Sequence, residues 1–336
     1  MEEQTQPAPV ANDSHLWIEI ATEPTNLNFS TTLSLNGVKW DVVFTNNKVR
    51  ATSHRKYPVP GTGFNDKDKV IQSAMNQIGG HIRNLGYFGL GIDMKWGYEG
   101  GYDGTSVGDS LDIFPSIHQN SSTQFSTNSI ERGQRIIKDV GNSRKKGLKS
   151  MLNYWRRAKE LDELGFDSEA YLNYFKVLEC LAELNTDDVT KRAIQDRFSP
   201  GGVPQKTLSR QYRTKTTAEQ NNLHRQIIFA SKALSAANIS PKLSRGLFTK
   251  VLNIVFMRHG WNVAHKLLRS NPYDTYDAIG QHSDEFNLVR IENIYIAKIT
   301  KLLILRYVKP GQYRFVMDSN MPMVMPVSGK GSKLDD

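Results

Sequence analysis

Two hydrophobic periods follow each other in the first part of the chain. Within 16–47, apolar side chains recur at every second position on both sides of Asn36-Gly37, at Leu33, Leu35, Val38, Trp40 and Val42. Asn-Gly between two alternating runs is a strong hairpin signal because both residues tolerate positive φ. The pattern therefore predicts strands over 16–47, with a tight hairpin turn at Asn36-Gly37.

From Lys69 the period changes to that of a helix. The apolar positions on one helical face are Val70, Ile71, Ala74, Met75, Ile78 and Ile82. Period two returns in "GLGIDMKWGY", at Leu90, Ile92, Met94 and Trp96, which predicts a further strand. Strands and a helix together predict an α+β domain over 14–117, preceded by a disordered tail at 1–13. The glycine-rich stretch after Trp96 lacks the lysine of a phosphate-binding loop and is interpreted as a long turn.

A polar stretch, "HQNSSTQFSTNS", precedes a change to helical periodicity. It predicts a linker at 118–140 and an all-α domain at 141–310, followed by a C-terminal tail at 311–336. Five helical stretches are recognised in the all-α domain, and the last is apolar on most sides towards its end, which predicts that it is buried or shared with a partner. The first contains Trp155 and the second Phe175, and the others cover about 217–236, 241–269 and 284–307.

Charge divides the chain in the same way. Residues 1–115 hold 9 of the 43 Lys and Arg but 13 of the 34 Asp and Glu, so the basic excess belongs to the remainder. A basic excess concentrated in one part is typical of a protein that binds an anionic partner, most often nucleic acid. The candidate RNA-binding residues lie before the first helix of the second domain and in a Pro- and Gly-containing loop around Tyr212: Arg144, Lys145, Lys146, Arg210, Arg213 and Lys215.

Cysteine content and hydropathy indicate the compartment. Cys180 is the single cysteine, so neither an internal disulfide nor a multi-cysteine zinc site is expected. The longest apolar run is interrupted by Lys301 and Arg306, and the N-terminus has no signal-peptide pattern. These features predict a cytoplasmic protein without a membrane partner.

An arginine and a histidine interrupt the apolar face of one predicted helix. The residues that share this face, at steps of three and four, are Val251, Ile254, Val255, Arg258, Trp261, Asn262, His265 and Leu268. A cation on such a face must meet a polar partner, a groove or a second copy of the face. Glu179, in line with Phe175 on an earlier helix, is a candidate partner for Arg258. A structural salt bridge between them is therefore an alternative to a catalytic role.

These residues resemble the motif of the HEPN superfamily of RNA-cleaving toxins and defence nucleases. That motif has an arginine, a polar follower and a histidine after four to six positions, near the end of an all-helical domain. The matching residues are Arg258, His259 and His265, with Gly260 intervening and Asn262 as a second candidate for the follower. The helices from "YWRRAKELDELGFDSEAYLNYFKVLECLAEL" are similar to those that open ApeA-like and MauJ-like HEPN domains, where an acidic residue often stands as Glu179 does. The resemblance covers about 140–308 and implies a HEPN helical bundle.

The resemblance implies a metal-independent endoribonuclease with no cofactor. Histidine can move the protons of an RNA 2′-hydroxyl or of the leaving oxygen, and arginine can stabilise charge on the phosphoryl oxygens. The two histidines, His259 and His265, lack the spacing of a helical zinc pair. The candidate catalytic residues are Arg258, His265, His259, Asn262 and Glu179.

Assembly follows from the length of the predicted helix. In a straight helix the backbones of Arg258 and His265 lie about 10 Å apart, so a homodimer through 251–268 and the final helix would gather two copies of each residue in one groove. In that arrangement the partner copy would bury Val251, Ile254 and Val255. A regulatory protein or antitoxin is a further expected partner, consistent with a toxin or an antiviral effector. The alternative function is a non-catalytic HEPN module that binds RNA or a partner protein.

Overall fold

The chain folds into two units, 1–142 and 143–336. The computed structural model describes residues 13–58, 66–92, 94, 99–102, 123–184, 217–239, 245–260, 283–318 and 321–326. The first unit contains an antiparallel sheet and the second is mainly helical, so an α+β arrangement is confirmed.

The sheet of the first unit has five antiparallel strands in the order β2-β3-β4-β1-β5. The strands are β1 (Asp13–Ala21), β2 (Phe29–Leu35), β3 (Val38–Phe44), β4 (Lys48–Pro58) and β5 (Glu99–Tyr102). Its inward face carries apolar side chains at alternate positions, among them Leu16, Ile18 and Ile20, all fully buried. This alternation is that of a sheet with one covered face.

The predicted hairpin is confirmed at Asn36-Gly37. These residues join β2 to β3 with φ of 51° and 80°, the left-handed values that a two-residue hairpin turn requires. Leu33 pairs with Trp40 beside the turn, and both side chains are buried. The turn and the apolar alternation therefore specify the same register.

The predicted helix after Lys69 is α1, which covers Asp66–Leu90. Ile71, Ile78 and Ile82 on its inner face are buried. The strand expected from Leu90 is wrong at its start, because α1 continues through Leu90. Met94, a described residue between α1 and β5, forms an isolated bridge with Thr22. A short alternating apolar run is compatible with the end of a packed helix as well as with a strand. Periodicity alone therefore does not distinguish the two, and here the run begins inside the helix.

The linker predicted at 118–140 is also wrong over its second half, where Thr127–Gly141 forms α2. Ser126 caps this helix by accepting a hydrogen bond from the Ser129 amide, and Ile136 and Ile137 are buried. The polar residues that suggested a linker include this cap, which is typical of a helix start.

Side chains of α2 and of Asn142, the residue that caps its C-terminus, also bind the free edge of the sheet. Gln134 donates to the carbonyl of Ser30 at 3.4 Å. Asn142 donates to the carbonyl of Thr32 at 3.1 Å and accepts from the amide of Ser34 at 2.9 Å. These groups lie on the outer side of edge strand β2 and would otherwise be open to pairing with another chain. The helix therefore belongs to the first unit.

The second unit contains five described helices. They are α3 (Leu148–Glu163), α4 (Asp167–Leu184), α5 (Thr217–Ala236), α6 (Arg245–Gly260) and α7 (Ser283–Val308). All five predicted helical stretches are found, although the part of the fourth after Gly260 lies outside the described residues. Trp155 ties α3 to α7 by donating to the carbonyl of Ala297 at 3.0 Å. No helix in the described ranges is long and apolar enough to cross a membrane.

The tail predicted at 311–336 instead begins with a hairpin. Strands β6 (Tyr313–Asp318) and β7 (Met321–Pro326) pair with each other and pack against α7. Tyr313 is fully buried, and its carbonyl accepts a hydrogen bond from buried Arg306 at 3.0 Å. The hairpin is therefore anchored to the helical unit. The residues of the predicted N-terminal tail before Asp13 lie outside the described ranges.

The crossing of α1 and α2 provides a stability test. A side chain at Gly89 would place its Cβ 2.7 Å from Cγ1 of fully buried Ile137 and 3.2 Å from the Gly133 carbonyl oxygen. Gly80, in the same helix, has open space at its Cβ position. We expect Gly89→Ala to lower the free energy of unfolding by about 1–3 kcal/mol through overpacking. Gly80→Ala should raise it by about 0.5–1 kcal/mol through helix propensity.

Urea denaturation of the two variants measures both effects. Equal shifts in the same direction would show that α1 and α2 do not cross closely at Gly89.

Candidate functional site

Arg258 lies at the point where the apolar face of α6 would otherwise continue. Val251, Ile254 and Val255 on this face are at most 1% exposed, whereas the Arg258 side chain is 25% exposed. One turn separates Ile254 from Arg258. The predicted interruption of the apolar face is therefore present, with the cation at the margin of the core.

The guanidinium of Arg258 contacts two residues of α4. Its carbon lies 4.8 Å from the ring centroid of Phe175, within the range of a cation–π interaction. Its Nη2 lies 3.7 Å from Oε1 of Glu179, which is a charge contact longer than a hydrogen bond. The pairing that the sequence suggested between Glu179 and Arg258 is thus formed. The aromatic contact was not foreseen, although Phe175 stands one turn before Glu179.

Phe175 is itself held in place by α5. Its ring stacks on Phe229 with centroids 5.3 Å apart and an interplanar angle of 5°. Phe175 is 2% exposed, so its position is determined by packing in the core. The ring therefore provides a fixed platform for the Arg258 guanidinium.

Tyr171 holds the backbone beneath Arg258. Its hydroxyl donates to the carbonyl of Ile254 at 2.7 Å, and in an α-helix this carbonyl also accepts from the amide of residue 258. Burial raises the pKa of Tyr171 far above its ordinary value, and the negative charge of Glu292 raises it further, against the opposing effect of Arg258. Tyr171 therefore stays neutral at physiological pH and has a positioning role.

Cys180, beside Glu179 on α4, is not an activated nucleophile. Burial raises the pKa of its thiol, and Glu183 and Glu179 raise it further. The thiolate is the reactive form, so these effects suppress reactivity. Within the described ranges, no cluster of three or more His, Cys, Asp or Glu side chains could hold a metal ion.

The other predicted catalytic residues lie at the end of α6 or after it. His259 belongs to α6. Asn262 and His265 lie outside the described residues, as do Arg210, Arg213 and Lys215 of the predicted RNA-binding loop. The distance between the arginine and the histidine therefore stays a sequence prediction.

The apolar residues of α6 do not form the predicted dimer interface. Val251, Ile254 and Val255 are buried within a single chain, so no partner is needed to cover them. The expectation that a second copy buries these three side chains is wrong. Neighbouring helices of the same unit cover this face, which the spacing of one helix does not reveal.

The predicted basic residues before α3 are exposed and anchored. Arg144, Lys145 and Lys146 are all exposed. The ammonium of Lys145 lies 5.3 Å from the ring centroid of Tyr307 on α7, and the Tyr307 hydroxyl donates to the carbonyl of Lys146 at 3.0 Å. Sequence reasoning did not identify Tyr307. The signal that could have identified it is its position next to Arg306 on an otherwise apolar helix.

Comparisons of this chain with protein-family models, with curated proteins and with solved structures found no match. The resemblance to HEPN proteins therefore remains a prediction carried by its own residues.

The exposure of the Arg258–Glu179 pair predicts how much the interaction between the two side chains contributes to stability. Glu179 is 39% exposed and the charges are 3.7 Å apart, so the pair should behave like a surface ion pair. We expect a double-mutant cycle of Arg258→Met and Glu179→Gln, measured by urea denaturation, to give a coupling of about 0.2–1 kcal/mol. As a core reference, Phe175→Ala should cost about 3–5 kcal/mol.

A coupling above about 3 kcal/mol would indicate a buried structural pair and would contradict this assignment.

Proposed function

We propose that this chain is a metal-independent endoribonuclease of the HEPN type, with Arg258 and His265 as its catalytic residues. The observation that carries the proposal is the position of Arg258. Its guanidinium is held on the Phe175 ring beside Glu179, yet a quarter of its side chain stays accessible. An arginine on a fixed platform and open to solvent is suited to receive a phosphate.

The proposed chemistry needs a proton carrier and a fixed cation. The 2′-oxygen of RNA loses its proton to a base and attacks the adjacent phosphorus, and the bond to the 5′-oxygen breaks as that oxygen gains a proton. His265 is the residue assigned to proton transfer, because imidazole titrates near neutral pH. Arg258 stabilises the charge that grows on the phosphoryl oxygens. His259 or Asn262 supplies the polar follower of the motif.

Binding of the RNA strand is assigned to the basic residues of the second unit. Arg144, Lys145 and Lys146 present exposed cations beside an aromatic ring, the combination that suits phosphates and stacked bases. The loop residues Arg210, Arg213 and Lys215 are assigned to the same role from sequence.

The wider setting of the proposal is a cytoplasmic toxin or antiviral effector that acts on RNA. A homodimer remains part of the proposal, since it would bring two copies of the motif together. Its interface must use surfaces other than Val251, Ile254 and Val255, which the chain itself buries. A regulatory protein or antitoxin is the expected partner of the first unit.

One observation favours the non-catalytic alternative. Phe175 and Glu179 already supply Arg258 with an aromatic face and a counter-charge within the chain. Such contacts are sufficient to explain an arginine at the margin of a core without any substrate. In this alternative the helical unit binds RNA or a partner protein and cleaves nothing.

Single substitutions separate the two functions. We expect Arg258→Ala to lower RNA cleavage by the purified protein about 10²–10³-fold, because a fixed stabiliser of the transition state is lost. His265→Ala should lower it at least about 10²-fold through loss of proton transfer. Arg157→Ala, the matched control, removes an arginine of α3 that is 59% exposed and has no assigned role, and should change cleavage less than tenfold.

Circular dichroism of all three variants shows whether the helices persist. Equal cleavage by the wild type and the Arg258 and His265 variants, with folding intact, would favour the non-catalytic alternative.

The chemistry of the cut ends tests the mechanism itself. Cleavage should persist in EDTA and leave 2′,3′-cyclic phosphate and 5′-hydroxyl ends, because the nucleophile is the internal 2′-oxygen. An oligonucleotide with a single 2′-deoxy substitution at the cut site should stay intact there, while neighbouring sites remain sensitive. Products with 5′-phosphate ends, identified by mass spectrometry, would show that water and not the 2′-oxygen attacks.

A further inference from the structure

A pocket in the first unit has no part in the proposed reaction. It lies between the β2–β3 hairpin, the C-terminal part of β4 and the first half of α1, and its volume is about 550 Å³. Small organic ligands occupy pockets of roughly 300–1,000 Å³. Every residue that lines it belongs to the first unit.

The inner part of the pocket is apolar and aromatic. Trp40 of β3, Tyr57 of β4 and Ile71 of α1 line it, and each is less than 10% exposed. Two aromatic side chains and a branched aliphatic one form a surface suited to a flat apolar group. These side chains are also part of the core, so the surface is fixed before any ligand binds.

An exposed cation in an irregular part of β4 also lines the pocket. Between the pairs His15–Lys56 and Trp17–Thr52, one residue of β1 faces three residues of β4, the last of which is Arg55. Arg55 stands in the series of every second residue of β4 that includes the buried Val49, Ala51 and Tyr57, so the alternation of the strand places it on the pocket side.

Arg55 contacts an aromatic neighbour, and a second cation also lines the pocket. The guanidinium carbon is 5.3 Å from the ring centroid of Tyr57. Lys69 of α1 also lines the pocket. Burial raises the pKa of the Tyr57 hydroxyl, against the opposing effect of Arg55, so this group is neutral at pH 7.

The charge of the pocket lining is opposite in sign to the net charge of residues 1–115. Residues 1–115 have an acidic excess, with 13 Asp and Glu against 9 Lys and Arg. The described residues that line the pocket nevertheless include two cations and no acidic side chain. The local positive charge therefore favours an anion.

One wall of the pocket is held by side-chain amides. The Asn36 side chain donates to Oε1 of Gln77, and Nε2 of Gln77 donates to Oγ of Ser73 at 3.1 Å. This chain of hydrogen bonds joins the hairpin turn to α1. The wall is thus preformed, which lowers the entropy lost on binding.

We propose that this pocket binds a small organic anion that carries an aromatic or heteroaromatic ring. The ring lies against Trp40 and Tyr57, and the phosphate or carboxylate lies between Arg55 and Lys69. The inference rests on the first unit alone and is independent of the proposed ribonuclease activity.

Isothermal titration calorimetry of the full-length protein with four probes tests the chemistry. The probes are 1-naphthyl phosphate, 1-naphthoate, 1-naphthalenemethanol and inorganic phosphate. At least one of the two aromatic anions should bind about tenfold or more tightly than both the neutral ring and inorganic phosphate, because only an aromatic anion satisfies both parts of the pocket. The tighter of the two aromatic anions identifies the anionic group. A neutral ring or inorganic phosphate that binds as tightly as both aromatic anions would overturn the proposal.

Three variants locate the binding. Arg55→Gln should weaken the tighter aromatic anion about tenfold or more, the loss expected for one charge-assisted interaction, while leaving the neutral ring unchanged. Lys56→Gln, an exposed neighbour on β4 that does not line the pocket, should have no effect. Ala74→Leu, which fills the pocket from α1, should abolish binding of both aromatic anions at an unchanged Tm.

Unchanged binding to Arg55→Gln would place the anion elsewhere and overturn the proposal. This substitution is at an exposed side chain, so it remains decisive even if Ala74→Leu does not fold.

Discussion

The burial of the apolar face of α6 is the constraint on which the position of Arg258 depends. The helix α6 buries Ile254 and Val255 completely and reaches Arg258 one turn later. A guanidinium at that place must keep part of its hydration or find compensating groups, since burial of an unpaired charge is costly. Phe175 offers the face of its ring and Glu179 a carboxylate, both from α4. The packing of α4 against α6 therefore determines where the charge lies.

The first unit also contains an arginine in contact with an aromatic ring, in this case on a strand of the sheet. There Arg55 lies in the irregular part of β4 and lines a pocket whose inner surface includes Trp40 and Tyr57. In both units a planar cation rests on an aromatic ring that packing holds in place. Such a ring restricts the guanidinium without consuming its hydrogen-bond donors, which stay available to an anion. A carboxylate partner alone would compete for those donors.

Sequence reasoning succeeded where local rules decide and failed where packing between distant segments decides. The turn at Asn36-Gly37 and the helix after Lys69 follow from φ preferences and from hydrophobic period, and both are confirmed. Helix α2 was taken for a linker because its role depends on the edge of strand β2, about a hundred residues earlier in the chain. The C-terminal hairpin was missed because its strands are short, with Pro322 and Pro326 in the second strand.

The same contrast between local rules and packing of distant segments holds for the residues of the candidate site. Glu179 and Arg258 are charged residues on or beside the apolar face of their helices. Their spacing in the sequence was therefore sufficient to suggest that they meet. The burial of Val251 depends on helices that the spacing of α6 does not describe, so its assignment to a dimer interface failed. Phe175 looked like any other core residue, since a ring that binds a cation has the same sequence signature as a ring that only fills space.

The geometry of the ion pair bears on how Arg258 could serve a substrate. A direct, fully buried pair would be costly to separate, because breaking it leaves an uncompensated charge in the core. At 3.7 Å, with both side chains partly exposed, Glu179 compensates the cation only weakly. A phosphate that approaches from solvent can replace this weak partner at small cost, while the Phe175 ring continues to hold the guanidinium in position. The contact with Glu179 thus suits a resting state that orients Arg258 without closing it to an anion.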